Sequence, residues 1–81
     1  MTVTVLLFGP QAQLAGASEI AVEVGEAPTA DDVLAAIGAA CEALRPSLGV
    51  SRLAVNHAFA SGDTPVSASD EVALIGMVSG G

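Results

Sequence analysis

Residues Thr2 to Val24 read TVTVLLFGPQAQLAGASEIAVEV, and this stretch decides how the rest of the chain folds. Successive side chains of a strand point to opposite faces, so Val3, Val5 and Leu7 share one face while Thr4, Leu6 and Phe8 share the other. Apolar residues on both faces predict a central strand from Thr2 to Gly9. Pro10 and Gly16 bracket a QAQLA segment that is read as one helical turn. Alternation resumes from Ser18 to Val24: Ile20, Val22 and Val24 are expected to face the core, and Glu19 and Glu23 to face water. Two strands this close in sequence are expected to pair antiparallel.

Downstream, Thr29 and Asp32 form a T-x-x-D capping pattern, and Asp31 adds negative charge where the helix dipole favours it. Val33, Leu34, Ile37, Cys41 and Leu44 recur at three- and four-residue intervals, which predicts one helix with one apolar stripe, ended by Pro46. Ser47 to Ser51 reads as a loop. Leu53 to Ala60 reads as an apolar strand interrupted near Asn56 and His57, Ser61 to Ser69 as a turn-rich connection, and Val72 to Ile75 as the last strand. One helix must then cover one face of a mixed sheet. The fold class is α+β. The order suits a β-grasp arrangement, with four to five strands, one main helix, and the last strand parallel beside the first. The expected division is a β-grasp domain over residues 1–76 and a flexible tail over residues 77–81.

A chain of 81 residues buries roughly 60 to 65% of its unfolded surface, which leaves little room for an internal active-site cavity. Function is therefore expected on an edge or a tail. Hydrophobic residues make up 52% of the chain, with no Trp or Tyr and only two Phe, so the core must be aliphatic. The net charge of −7 includes only two cations, Arg45 and Arg52, and no Lys. A phosphate-binding surface needs clustered cations, so nucleic acid is not an expected partner; the acidity suits either a basic protein face or solubility alone. The absence of a long apolar run and of a basic leader leads us to expect a cytoplasmic protein without membrane insertion. Cys41 stands alone and no Cys/His spacing suggests a metal site. Without Lys there is neither a P-loop nor a Schiff-base residue, and an autonomous enzyme is not expected.

His57 is expected to face solvent, and Cys41 to pack in the core as a small hydrophobe. Ser61, Ser67, Ser69, Asp63 and Asp70 have the spacing of turn chemistry, not of a catalytic triad. For Phe8 and Phe59 the residues alone leave core and partner interface open; Ile75 is read as interface, while Met77 reads as core by default. The sequence closes on Val78-Ser79-Gly80-Gly81. Glycines lack a Cβ and thread narrow channels, so the carboxylate of Gly81 is expected to be reachable by a partner enzyme.

The pieces V-L-L-F-G (from Val5), A-V-N (from Ala54), D-E-V-A (from Asp70) and the final V-S-G-G (from Val78) together resemble the small subunit of molybdopterin synthase over nearly the whole length. They also fit the wider ubiquitin-like sulfur-carrier group, which includes the thiamine-pathway carrier. The resemblance implies a β-grasp protein that binds no cofactor itself. An activating enzyme uses ATP to adenylate the Gly81 carboxylate, which then becomes a thiocarboxylate. It also implies that the tail enters the large subunit and supplies sulfur to a pyranopterin precursor in molybdenum cofactor biosynthesis. The implied assembly is a heterotetramer of two small and two large subunits, in which this chain is the non-catalytic one. By position, Gly80 and Gly81 match the reactive tail, and Phe8, Phe59 and Ile75 match apolar partner contacts, with Met77 and Val78 next to them at the tail's base. Leu74 to Met77 departs from the pattern, because relatives often carry aromatic residues and then prolines there. Other readings are a sulfur carrier for thiamine or cysteine synthesis, a ubiquitin-like protein modifier, and a plain interaction module.

Overall fold

The structure, a computed structural model, describes residues 1–76. Strand β1 (Thr2–Leu6) pairs antiparallel with β2 (Glu19–Glu23), with Val3 opposite Val22 and Val5 opposite Ile20. The QAQLA segment is longer than one turn: α1 spans Gly9–Ala15, with Pro10 in its first turn, where its missing N–H costs nothing. Gly16 ends α1 at φ 72°, and the amides of Gly16 and Ala17 both donate to the Ala12 carbonyl, a left-handed closure suited to a residue without a Cβ.

Helix α2 (Ala30–Ala40) begins as its capping pattern predicts. The Thr29 amide donates to Asp32 Oδ2 at 2.9 Å and the Asp32 amide donates back to Thr29 Oγ1 at 3.4 Å. The turn-rich segment crosses the same helix end, where the Ala30 and Asp31 amides donate to the carbonyls of Thr64 and Gly62. Four otherwise orphaned helical donors make that satisfaction necessary.

The far end of the helix corrects the sequence reading. The α-helix stops at Ala40, Cys41 turns extended (φ −141°, ψ 97°), Glu42–Leu44 forms a 3-10 turn, and α3 (Arg45–Leu48) follows. Pro46 therefore lies in the first turn of a new helix; it does not end the old one. Had α2 continued, the ring of Pro46 would meet the carbonyl four residues back; restarting the helix upstream puts it where proline is tolerated. Leu44 remains fully buried despite the break. The expected loop shrinks to the connection after Leu48.

Strand β3 (Ser51–Val55) is followed by β4 (Ala58–Phe59), and the interruption expected at Asn56 and His57 is a tight turn with both residues at positive φ, 52° and 71°. Strand β5 (Val72–Gly76) pairs antiparallel with β3 and parallel with β1, so the sheet order is β2-β1-β5-β3-β4. This is the mixed five-stranded sheet with one main helix expected of a β-grasp fold. Its inner face buries Val3, Val5, Val22, Leu53, Val72 and Leu74 against Val33 and Ile37 of α2 and Leu44 of the 3-10 turn. At about 1.5 to 3 kcal/mol per large apolar side chain, this layer is the main stabilising term.

Candidate functional site

The alternation that buries Val3, Val5 and Leu7 sends Leu6 and Phe8 to the opposite face, which no helix among the described residues covers. Phe8 is 54% exposed, and Phe59 at the far side of the sheet is also 54% exposed. Between them lies an open groove of about 340 Å³, floored by Leu6, Ala54, Ala73 and the half-buried Ile75. Of the two readings left open for Phe8 and Phe59, the exposure removes the core: neither side chain belongs to it.

A second groove of about 360 Å³ lies on the other side of Phe8, lined by Pro10, Leu14, Val50, Leu74 and Gly76. Phe8 and Ile75 line both grooves. Leu14 and Val50, exposed at 53% and 60%, extend the apolar surface to Gly76, the last described residue. An apolar patch of this extent on a small domain makes this face the candidate partner surface. The sequence reading missed Leu14 and Val50; the usable signal was an apolar residue in a short helix and a β-branched residue after Gly49, neither matched to the main stripe.

The second groove has a rigid polar floor. Gln11, only 6% exposed, donates from Nε2 to Ser51 Oγ at 2.7 Å, and Ser51 Oγ donates to the Ser47 carbonyl at 2.7 Å. One hydroxyl thereby joins α1, α3 and β3 beneath the tail's root. A buried amide requires such partners.

His57 faces solvent as expected, with Nε2 3.1 Å from Glu71 Oε2 at the rim of the first groove. No nucleophile stands beside it among the described residues. Cys41 is half-buried against the core at the end of α2. The serines and aspartates of the turn-rich segment bond within it: Ser61 Oγ donates to Asp63 Oδ1 at 2.7 Å, and the Ser67 amide donates to Asp70 Oδ2 at 2.8 Å. That amide, followed by the Asn56 side-chain amide at 3.1 Å, holds the Asp70 carboxyl below its ordinary pKa because both bonds favour the charged form. These contacts shape turns and assemble no reactive centre. No cluster of three His, Cys, Asp or Glu fit for a metal ion occurs among the described residues, and no helix among them is long and apolar enough to cross a membrane.

Met77, Val78, Gly80 and Gly81, read from the sequence as tail and partner contacts, lie outside the described residues. The described residues that belong with them, Phe8, Phe59 and Ile75, are brought together on one face. This arrangement is an exposed apolar face with two grooves.

The fold matches known structures over their whole length. SAMP1 from Haloferax volcanii is 28% identical, with 100% of each chain covered and a TM-score of 0.82. A putative molybdopterin converting factor subunit 1 from Pyrococcus furiosus shares the fold at 24% identity, covering 96% of this chain and 99% of that one, with a TM-score of 0.82. A chain from the complex of subunits 1 and 2 of the molybdopterin-converting factor from Helicobacter pylori is 28% identical, with 100% of each chain covered and a TM-score of 0.67. The model of the ThiS family matches residues 5–81, from the first strand to the final glycine. With this match and its β-grasp sheet, the chain belongs to the ThiS family of ubiquitin-like sulfur carriers.

Proposed function

We propose that this carrier supplies sulfur for molybdopterin synthesis through a thiocarboxylate on Gly81. The observation that carries the reading is the convergence of Phe8, Ile75, Leu14 and Val50 on Gly76, five positions before Gly81. The apolar face docks, and the tail reaches into the partner's active site. A carboxylate is a poor electrophile, so an ATP-dependent activating enzyme first makes it an acyl-adenylate with release of pyrophosphate. A sulfur donor then displaces AMP to leave the thiocarboxylate. In the large subunit of the synthase the tail gives its sulfur to the pyranopterin precursor and returns as a carboxylate. The bases and the pterin pocket belong to that partner. The full-length likeness to a chain of the Helicobacter pylori two-subunit complex supports this choice of partner.

Intact mass tests the reading. After incubation with an activating enzyme, ATP and a sulfur donor, the expected product is heavier by the difference between one sulfur and one oxygen atom, located on Gly81. A second reading, a protein modifier that forms isopeptide bonds through Gly81, is favoured by the full-length likeness to Haloferax volcanii SAMP1. An unchanged mass together with higher-mass conjugates would establish that reading in place of the first.

A further inference from the structure

On the uncovered sheet face, Arg52 is exposed, and its guanidinium carbon lies 5.2 Å from the centroid of the Phe59 ring. One nitrogen, Nη2, is 3.4 Å from the Ala60 carbonyl, and no carboxylate pairs with Arg52 among the described residues. The other arginine, Arg45, is 3.3 Å from Glu42 and donates to the Gly38 carbonyl. Arg52 is therefore the one arginine whose charge the described residues leave unmatched, in a chain of net charge −7. The ring holds the guanidinium in place without consuming its donors, since a cation over an aromatic face keeps its N–H edge open. That edge is the group that binds a carboxylate in two parallel hydrogen bonds.

We propose that Arg52 recognises a carboxylate on the protein that receives the tail, beside the apolar side chains that fill the groove between Phe8 and Phe59. The inference rests on the docking reading above and adds a determinant of specificity to it. Arg52 stands opposite Ile75 in the β3–β5 ladder, and Ile75 lines the groove. A partner that seats an apolar side chain over Ile75 therefore lies within reach of Arg52. The charge near the groove fits one placement: Glu71, paired with His57, stands at its rim, so a partner carboxylate is repelled on the Glu71 side and attracted on the Arg52 side. The pair fixes the register of docking, which is the usual contribution of interfacial charge.

Charge reversal separates this local contact from the attraction of an acidic chain to a basic partner. Arg52→Glu makes the chain more negative, so a uniformly basic partner would bind it more tightly; a partner carboxylate at Arg52 makes it bind more weakly. The full-length chain and its Arg52→Glu, Arg52→Gln and Arg52→Lys variants would be titrated calorimetrically against the activating enzyme and the synthase large subunit. Thiocarboxylate formation would be followed by mass. For at least one partner, Arg52→Glu is expected to raise Kd about tenfold or more, with Arg52→Lys between it and wild type. If that partner is the activating enzyme, KM for the carrier rises and kcat holds, because Gly81 is unaltered. Wild-type or tighter binding of Arg52→Glu to both partners overturns the inference. A binding loss that tracks a fall in melting temperature in both Arg52→Glu and Arg52→Gln also overturns it, by assigning Arg52 to the fold. A wild-type chain that is neither activated nor bound removes the docking reading itself, and this inference with it.

Discussion

Gly76, the last residue of β5, stands opposite Ser51 in the β3–β5 ladder, and the Ser51 hydroxyl is held on both sides, by the Gln11 amide at 2.7 Å and the Ser47 carbonyl at 2.7 Å. Gly76 is thereby tied to a buried polar link between three elements. Ser51→Ala strands the Gln11 amide donor in a site only 6% exposed. The expected loss is about 1 to 3 kcal/mol, which in a domain of this size lowers Tm by roughly 4 to 8 °C per kcal/mol. Gln11→Leu should cost less than Ser51→Ala, because Ser51 keeps its bond to Ser47. The double variant should recover part of the loss. Denaturant unfolding of the three variants checks this, and equal losses for both single variants would break the argument.

The exposed face of the sheet and the core packed between its other face and α2 should respond oppositely to truncation. Ile37→Ala removes a side chain with no exposure and is expected to cost about 2 to 5 kcal/mol. Phe8→Ala removes a side chain already 54% exposed and is expected to change stability by less than about 1 kcal/mol. Binding to the large subunit should show the reverse, strongly weakened by Phe8→Ala. Calorimetry in which Phe8→Ala binds like wild type would show that the apolar face is not the docking face.

The turn that carries Asp70 predicts a dependence on pH. Two hydrogen bonds to its carboxylate, from the Ser67 amide and the Asn56 side chain, lower its folded pKa relative to the unfolded chain. The folded state therefore binds the proton less readily. The stabilisation is fully present above the unfolded pKa, about 3.9, and is lost as pH falls through the lower folded value. Asp70→Asn removes the titrating group. Wild type should thus be the more stable at about pH 6, with the difference narrowing toward about pH 3. The group is exposed, so the effect is small and screened by salt. A gap that widens on acidification would contradict the assigned direction.

The strands were legible because their periodicity is a two-state property of each residue: Val3, Val5 and Leu7 are buried, whereas Phe8, one step out of phase, is not. The start of α2 was equally legible, since a capping box is local chemistry between Thr29 and Asp32. Its end was not. The apolar stripe through Cys41 to Leu44 is satisfied by a broken helix as well as by a continuous one, because Leu44 reaches the core either way. Proline punctuates a helix at its start as well as at its end, so Pro46 alone left the direction undecided. The Gln11–Ser51 link was hidden for a different reason: its partners are 40 positions apart, and neither belongs to a motif. Of the exposed apolar face, the sequence singled out Phe8, Phe59 and Ile75 as candidates without deciding between core and interface for the two rings, while Leu14 and Val50 required the packing of α1 beside the α3–β3 connection.

Deletion of Gly81 is expected to separate stability from function. Every buried apolar residue of the described chain lies between Val3 and Leu74, and the β3–β5 ladder pairs from Val55 opposite Val72 to Ser51 opposite Gly76. The burial and pairing of the described chain are thus made by residues up to Gly76. Deleting Gly81 is expected to leave the melting temperature and the unfolding midpoint unchanged, because terminal residues contribute little burial. The same deletion moves the terminal carboxylate to Gly80 and shortens the reach of the tail by about 3.3 to 3.6 Å, more than near-attack geometry tolerates. Thiocarboxylate formation should therefore fall below detection by intact mass, while calorimetric binding through Phe8 and Ile75 persists. A large fall in melting temperature would make the tail part of the fold. Undiminished sulfur incorporation in the shortened chain would place the reacting group elsewhere and refute Gly81 as the carrier.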